Sequence, residues 1–242
     1  LTLQLSIPAI LAQISSIVMQ YIDASMVGQL GRDASASIGL VASSTWLFGG
    51  LCRALVVGFS VMVAQRIGAC EERDARNLVK QGLCSGIAFG LLLAAIGAAI
   101  SGGLPHWLHA DSAICPDASA YFLIFALSLP FVQLNRLAVG LLEAGGNMRT
   151  PSILLVLMCA LDVVFNSLLI FPPRQLGALT LPGADLGVAG AALGTALSEA
   201  VVALILCVCL LRSPMLGLRK GERLRFVPAQ LRRAVRLGAP VA

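Results

Sequence analysis

The chain has 242 residues, 58% of them hydrophobic and only 12% charged, with a mean hydropathy of +0.90. That is about half the charge of a soluble domain, and disordered, collagenous and coiled-coil chains are excluded with it, since each needs charge or strict repetition. Seventeen Lys and Arg against twelve Asp and Glu give a net charge of +5, but most of these charges sit between long apolar runs, as in a polytopic membrane protein.

Crossing a bilayer as a helix takes roughly 20 mostly apolar residues. Six stretches qualify, at about 3–27, 37–64, 80–102, 118–142, 151–171 and 187–211. The first holds Pro8 and then Gln13, Ser16, Gln20 and Asp23, whose spacing of three or four residues draws one polar stripe along a helix. The second carries Arg53 near its middle. The third is spaced with Gly86, Gly90 and Gly97, which permit close helix approach in lipid. The fourth holds Arg136. The fifth pairs Asp162 with Asn166 and the sixth Thr195 with Glu199, each pair four apart and so on one helix face. Breakers mark the connections, among them Pro105, Pro116, Pro151 and the Pro172-Pro173 pair. The alternation that barrel strands need is absent. The expected fold class is an all-α membrane bundle of six transmembrane helices.

Basic residues partition between the connections. The second holds Arg66, Arg73, Arg76 and Lys80, the fourth Arg149, and the run after the sixth span extends from Arg212 to Arg236; the first, third and fifth hold only Arg32 and Arg174. The positive-inside rule then puts the even connections and the N-terminus in the cytoplasm. Topology accounts for the basic run, so no nucleic-acid partner is expected. The chain opens at Leu1 with no basic lead, so no signal peptide is expected and the sequence reads as a fragment whose start is missing. Its last stretch, LRRAVRLGAPVA, echoes the opening LTLQLSIPAIL. This divides the chain into a six-helix lobe (1–211), a basic cytoplasmic loop (212–230) and the truncated start of a second lobe (231–242). Many transporters consist of two such repeats with the substrate route between them.

A charge at mid-bilayer costs about 2.5–3.5 kcal/mol, so Asp23, Arg53, Arg136, Asp162 and Glu199 each require a reason. At about 1.5 Å per residue, Asp23, Asn166 and Thr195 fall within about 6 Å of one another in depth, with Asp162 and Glu199 one turn deeper. A carboxylate-rich polar cavity in the outer half of the bundle is expected, able to bind cations or protons. Arg136 is near enough the cytoplasmic end to snorkel; Arg53 is not. The seven cysteines form no C-x-x-C pair and read as small packing residues, while His106 and His109 flank Trp107 in an interfacial segment.

At these residues the sequence resembles the multidrug and toxic compound extrusion (MATE) family. The likeness rests on SIPAILAQISSIVMQYIDASMVGQLGRDASASIGL, then VAQRIGA, LLEAGGNMRTP and LGVAGAALGTALSE, in order along almost the whole chain. The resemblance implies one lobe of a twelve-helix, two-lobe transporter in a cell membrane, the bacterial inner membrane, with the C-terminal lobe as its missing partner. It implies export of organic cations and other amphipathic compounds in exchange for protons or sodium ions. It carries over onto Asp23 as the principal coupling carboxylate, onto Pro8 as the bend of helix one, and onto Thr195 beside the ion site. The family pattern on helix five often reads Asn, three residues, Asp; here the order is Asp162, three residues, Asn166, which moves the carboxylate one turn.

The expected function is secondary antiport by alternating access, with Asp23, Asp162, Asn166 and Thr195 at the coupling site and Gln20, Glu199 and Arg53 in the adjoining cavity. No cofactor is expected beyond the coupling ion. The alternative is a lipid-linked oligosaccharide or lipid flippase of a related family; only Arg53 and Arg136 supply the basic lining such proteins use. An enzyme is not expected, since the sequence holds no nucleophile–base pair, metal motif or nucleotide loop.

Overall fold

The computed structural model describes residues 2–176, 179–181, 183–217 and 227–241. Eight α-helices follow in order among the described residues: α1 (Thr2–Gly28), α2 (Arg32–Gly68), α3 (Glu72–Ser101), the single turn α4 (Leu104–Trp107), α5 (Cys115–Ala144), α6 (Arg149–Leu169), α7 (Gly187–Leu211) and α8 (Pro228–Gly238), the last running into a 3-10 turn (Ala239–Val241). Among the described residues α2, α3, α5, α6 and α7 are long and apolar enough to cross a membrane. The helices run past the apolar windows of the sequence. Helix α2 begins at Arg32 rather than 37 and ends at Gly68 rather than 64, and α3 begins at Glu72 rather than 80. Hydropathy stops at the first charges, whereas backbone hydrogen bonding continues into water; Arg76 with Glu72, at 3.2 Å, braces one such extension. Pro8 lies within α1, and its side chain lies outside the described residues.

Two features add to the six-helix expectation. Between α6 and α7, β1 (Arg174–Leu176) pairs antiparallel with β2 (Leu179–Leu181), a small hairpin in the Pro-rich connection. At the other end of the chain, helix starts at Pro228, inside the stretch expected as loop, because proline at the first helical turn sacrifices no hydrogen bond. Residues 218–226 of that loop lie outside the described residues. Helix α8 lies along α2: Gly58 abuts the carbonyl of Ala234 and Gly238 that of Ala54, so the two backbones meet without side chains between them. Gln81 Nε2 on α3 donates to the Val227 carbonyl at 2.9 Å and fixes where α8 begins.

Helices α1, α2, α5, α7 and α6 pack in that cyclic order, and α3 packs outside the ring against α2 and α5. Three apolar clusters hold it. The largest, around Phe59, Leu78, Leu141, Leu206 and Leu210, closes the ring at the basic end, where Arg66–Lys80, Arg149 and Arg212 lie. A second joins α2, α3 and α5 through Phe48 and Phe122, whose rings meet edge to face at 5.8 Å. The third, around Val27, Ile170 and Ala191, ties α1 to α6 and α7 at the opposite end. At the basic end Gly146 adopts φ +82°, which only glycine takes without strain, and Asn147 then turns back to accept from the Thr150 amide at 3.1 Å, opening α6.

The α3–α5 seam is closely packed through three glycines of α3. A Cβ on Gly86, Gly90 or Gly97 would lie 2.9 Å from Leu137, 2.8 Å from the Pro130 backbone and 2.7 Å from Ala126. Gly90→Val should therefore cost about 1–3 kcal/mol through overpacking. Gly102→Ala, with nothing within 4 Å, should be near neutral. Thermal unfolding in detergent separates the two, and equal melting temperatures would contradict this packing.

Candidate functional site

Near the end opposite the basic loops the ring encloses a cavity of about 450 Å³. Gln20 and Asp23 enter its wall from α1, Thr45 and Trp46 from α2, Tyr121 from α5, Asn166 from α6 and Thr195 from α7. Helical repeat explains the convergence. Gln20 and Asp23 belong to the polar stripe of α1, whose partners Gln13 and Ser16 are exposed.

One amide joins the acids. Asn166 Nδ2 donates to Asp23 Oδ1 at 2.9 Å and to Asp162 Oδ2 at 3.0 Å, linking α1 to α6. Asp162 is fully buried and Asn166 is 1% exposed, while Asp23 is half-buried on the cavity side. The other oxygen of Asp162 accepts from Ser198 Oγ on α7 at 3.3 Å, in a longer contact than Ser198 makes with the Thr195 carbonyl at 2.8 Å. The cluster thus spans three helices and holds two carboxyls on one shared donor. Asn166 Oδ1 is buried without a donor among the described residues, and Gly194 leaves the space it occupies. Acceptor oxygens exceed donors here, an arrangement suited to a cation or an added proton.

The remaining polar residues are distributed differently. Thr195 lines the cavity but its hydroxyl donates to the Ala191 carbonyl at 3.2 Å, back-bonding along its own helix. Glu199 lies below the cavity wall and accepts from Asn135 Nδ2 on α5. Arg53 is exposed on α2 and does not join the acids. Arg136 does not snorkel to the basic end. Its Nη1 donates to the Gly49 carbonyl of α2 at 2.8 Å. Gly140 meets Val56 and Ser60 at the α2–α5 crossing, so Arg136 and Arg53 each sit about one turn outward of it, and Arg136 reaches over the same face of α2. Sequence reasoning missed Asn135, Ser198 and Tyr121. Asn135 and Ser198 each adjoin a charged residue that drew the attention, and both are polar residues inside apolar spans, which is the signal that could have found them.

Replacing Asn166 by Ala removes the donor from both carboxyls at once. Loss of a shared buried donor should cost about 1–3 kcal/mol, whereas Gln20→Ala on the exposed wall should cost little. Chemical denaturation of the two variants provides the comparison.

The family model MatE matches residues 8–168, two thirds of the chain. A probable multidrug resistance protein NorM from Chromobacterium violaceum is 25% identical over 170 residues, covering 69% of this chain and 36% of that protein. Another NorM, from Thermotoga maritima, is 24% identical over 243 residues, covering 99% of this chain and 50% of its own length. Among solved structures, a MOP superfamily transporter from Pyrococcus furiosus superposes with a TM-score of 0.86 at 23% identity, over 99% of this chain and 51% of that one. The chain spans about half or less of the length of the relatives it matches. With its multi-pass helical lobe and the matched family model, the chain belongs to the multidrug and toxic compound extrusion (MATE) family.

Proposed function

We propose that the chain forms the ion-coupling lobe of a secondary antiporter that exports organic cations and other amphipathic compounds in exchange for protons or sodium ions. The observation that carries this is the single amide of Asn166 shared by Asp23 and Asp162. Two ionised carboxyls on one neutral donor are costly in a low-dielectric slab. A sodium ion or a proton between them relieves the repulsion, and Thr195, Gln20 and the unpartnered Asn166 oxygen add neutral oxygens to the same neighbourhood. Loss of the ion restores the repulsion across the α1–α6 contact, so occupancy biases the position of α1. Differential ion affinity of this kind drives alternating access. The names of the relatives, multidrug resistance proteins, support the substrate class.

The decisive variant is Asp23→Asn. Asparagine is nearly isosteric but neither titrates nor supplies charge, so the complete gene product carrying it should insert normally and lose ion-driven efflux of ethidium from vesicles. Near-normal efflux under an imposed proton or sodium gradient would place the coupling elsewhere. Applying the two gradients separately identifies the ion.

The orientation proposed with this reading has the basic end in the cytoplasm, by the excess of Lys and Arg there. With the native cysteines removed, a cysteine at exposed Ser112 should react in intact cells with an impermeant thiol reagent, and one at exposed Arg73 should not. The reverse pattern inverts the lobe.

A further inference from the structure

Glu199 is a third acid within the bundle, one turn along α7 from Thr195 toward the basic end. Its surroundings differ from those of the Asp23–Asp162 pair. Its carboxyl accepts from Asn135 Nδ2 on α5, and that nitrogen also lies 3.3 Å from Met158 Sδ on α6. Asn135 is 3% exposed, and its Oδ1 has no donor among the described residues. None of the ion pairs among the described residues includes Glu199. The guanidinium at the next position of α5, Arg136, bonds the Gly49 carbonyl instead.

The unpartnered oxygen identifies what is missing. An ionised Glu199 offers acceptors only, so the oxygen of Asn135 would face no donor. A protonated Glu199 can donate its O–H to Asn135 Oδ1 while its other oxygen keeps the bond from Nδ2. The acid and the amide then satisfy each other, and no charge is left in lipid. On the elements packed against α7, the charged groups that act on Glu199 are Arg136 of α5 and Asp162 of α6; Asp23 and Tyr121 lie on the cavity, and Arg53 of α2 is exposed. Ser198 ties Asp162 to the turn of α7 that carries Glu199.

We propose that Glu199, paired with Asn135, is a second protonation site of this lobe, separate from the Asp23–Asp162–Asn166 cluster. When it releases its proton to water, the carboxylate adds a negative charge beside the turn of α5 that carries Arg136, and competes with the Gly49 carbonyl for that guanidinium. The transport cycle then carries a proton through Glu199 whichever ion the outer cluster takes. This stoichiometric consequence rests on the antiport reading above; the existence of the site does not.

Two measurements on the complete gene product test it. In infrared pH titration, Glu199→Gln should remove one protonated-carboxyl C=O band present in the wild type at neutral pH, and Asp23→Asn should leave that band in place. In vesicles, Glu199→Gln should lower the number of protons moved per substrate by one; under a sodium-driven cycle it should abolish proton movement. An unchanged band pattern in Glu199→Gln overturns the proposal even if Asp23→Asn abolishes efflux, so the two readings fail separately. Should Glu199→Gln not insert, Asn135→Leu serves in its place: it must shift the band, and an unshifted band overturns the acid–amide pair.

Discussion

Two carboxyls in a membrane bundle share one amide hydrogen-bond donor, and much of the lobe's architecture follows from having to place that amide. Asn166 can reach Asp23 only because α1 is pinned against α6 and α7 by the apolar cluster around Val27, Ile170 and Ala191. It can reach Asp162 because the two lie four apart on α6. Gly194 on α7 keeps the space that its oxygen occupies. The larger core at the basic end lies away from these residues, built from leucines and Phe59. The largest apolar core sits at one end of the ring and the polar cavity toward the other.

In the proposed cycle this division leaves α1 as the helix that moves. Helix α1 is held at its Gly28 end, while Ile10, Ile14, Ile17 and Val18 are exposed along the rest of it. Its attachment to α6 combines side-chain packing with one charge-sensitive hydrogen bond. Helices α3 and α5, by contrast, interlock through glycines set against Leu137, the Pro130 backbone and Ala126, which leave little room to shift. The same sequence thus specifies a fixed seam and a releasable one, using small residues for the first and ionisable residues for the second.

Much of this was legible in the residues. The depth arithmetic that puts Asp23 level with Asn166 corresponds to a contact of 2.9 Å, because a straight helix converts residue count into height directly. The shared face of Asp162 and Asn166 follows from spacing in the same way. Rotation about the helix axes was not legible. It decides that Glu199 meets Asn135 rather than the cavity, and that Arg136 crosses to Gly49 instead of turning toward the basic end. Those outcomes depend on which faces α5 and α7 turn toward each other, and hydropathy is nearly uniform around both. The span limits missed the charged helical extensions, since composition changes at the membrane surface and backbone geometry does not.

Asp23 lies five residues from Gly28, about 8 Å of helix. In the proposed orientation an ion entering from outside descends through about a quarter of a hydrocarbon core roughly 30 Å thick before it meets the acids. Moving one charge across the full membrane is worth about 2.3 kcal/mol per 100 mV, so this partial descent is worth about 0.6. On the proposed reading the cluster is a shallow ion well. The resting voltage, negative inside, would then raise its occupancy by a cation even with equal concentrations on both sides, and electrical and chemical driving forces would be partly interchangeable at the binding step itself.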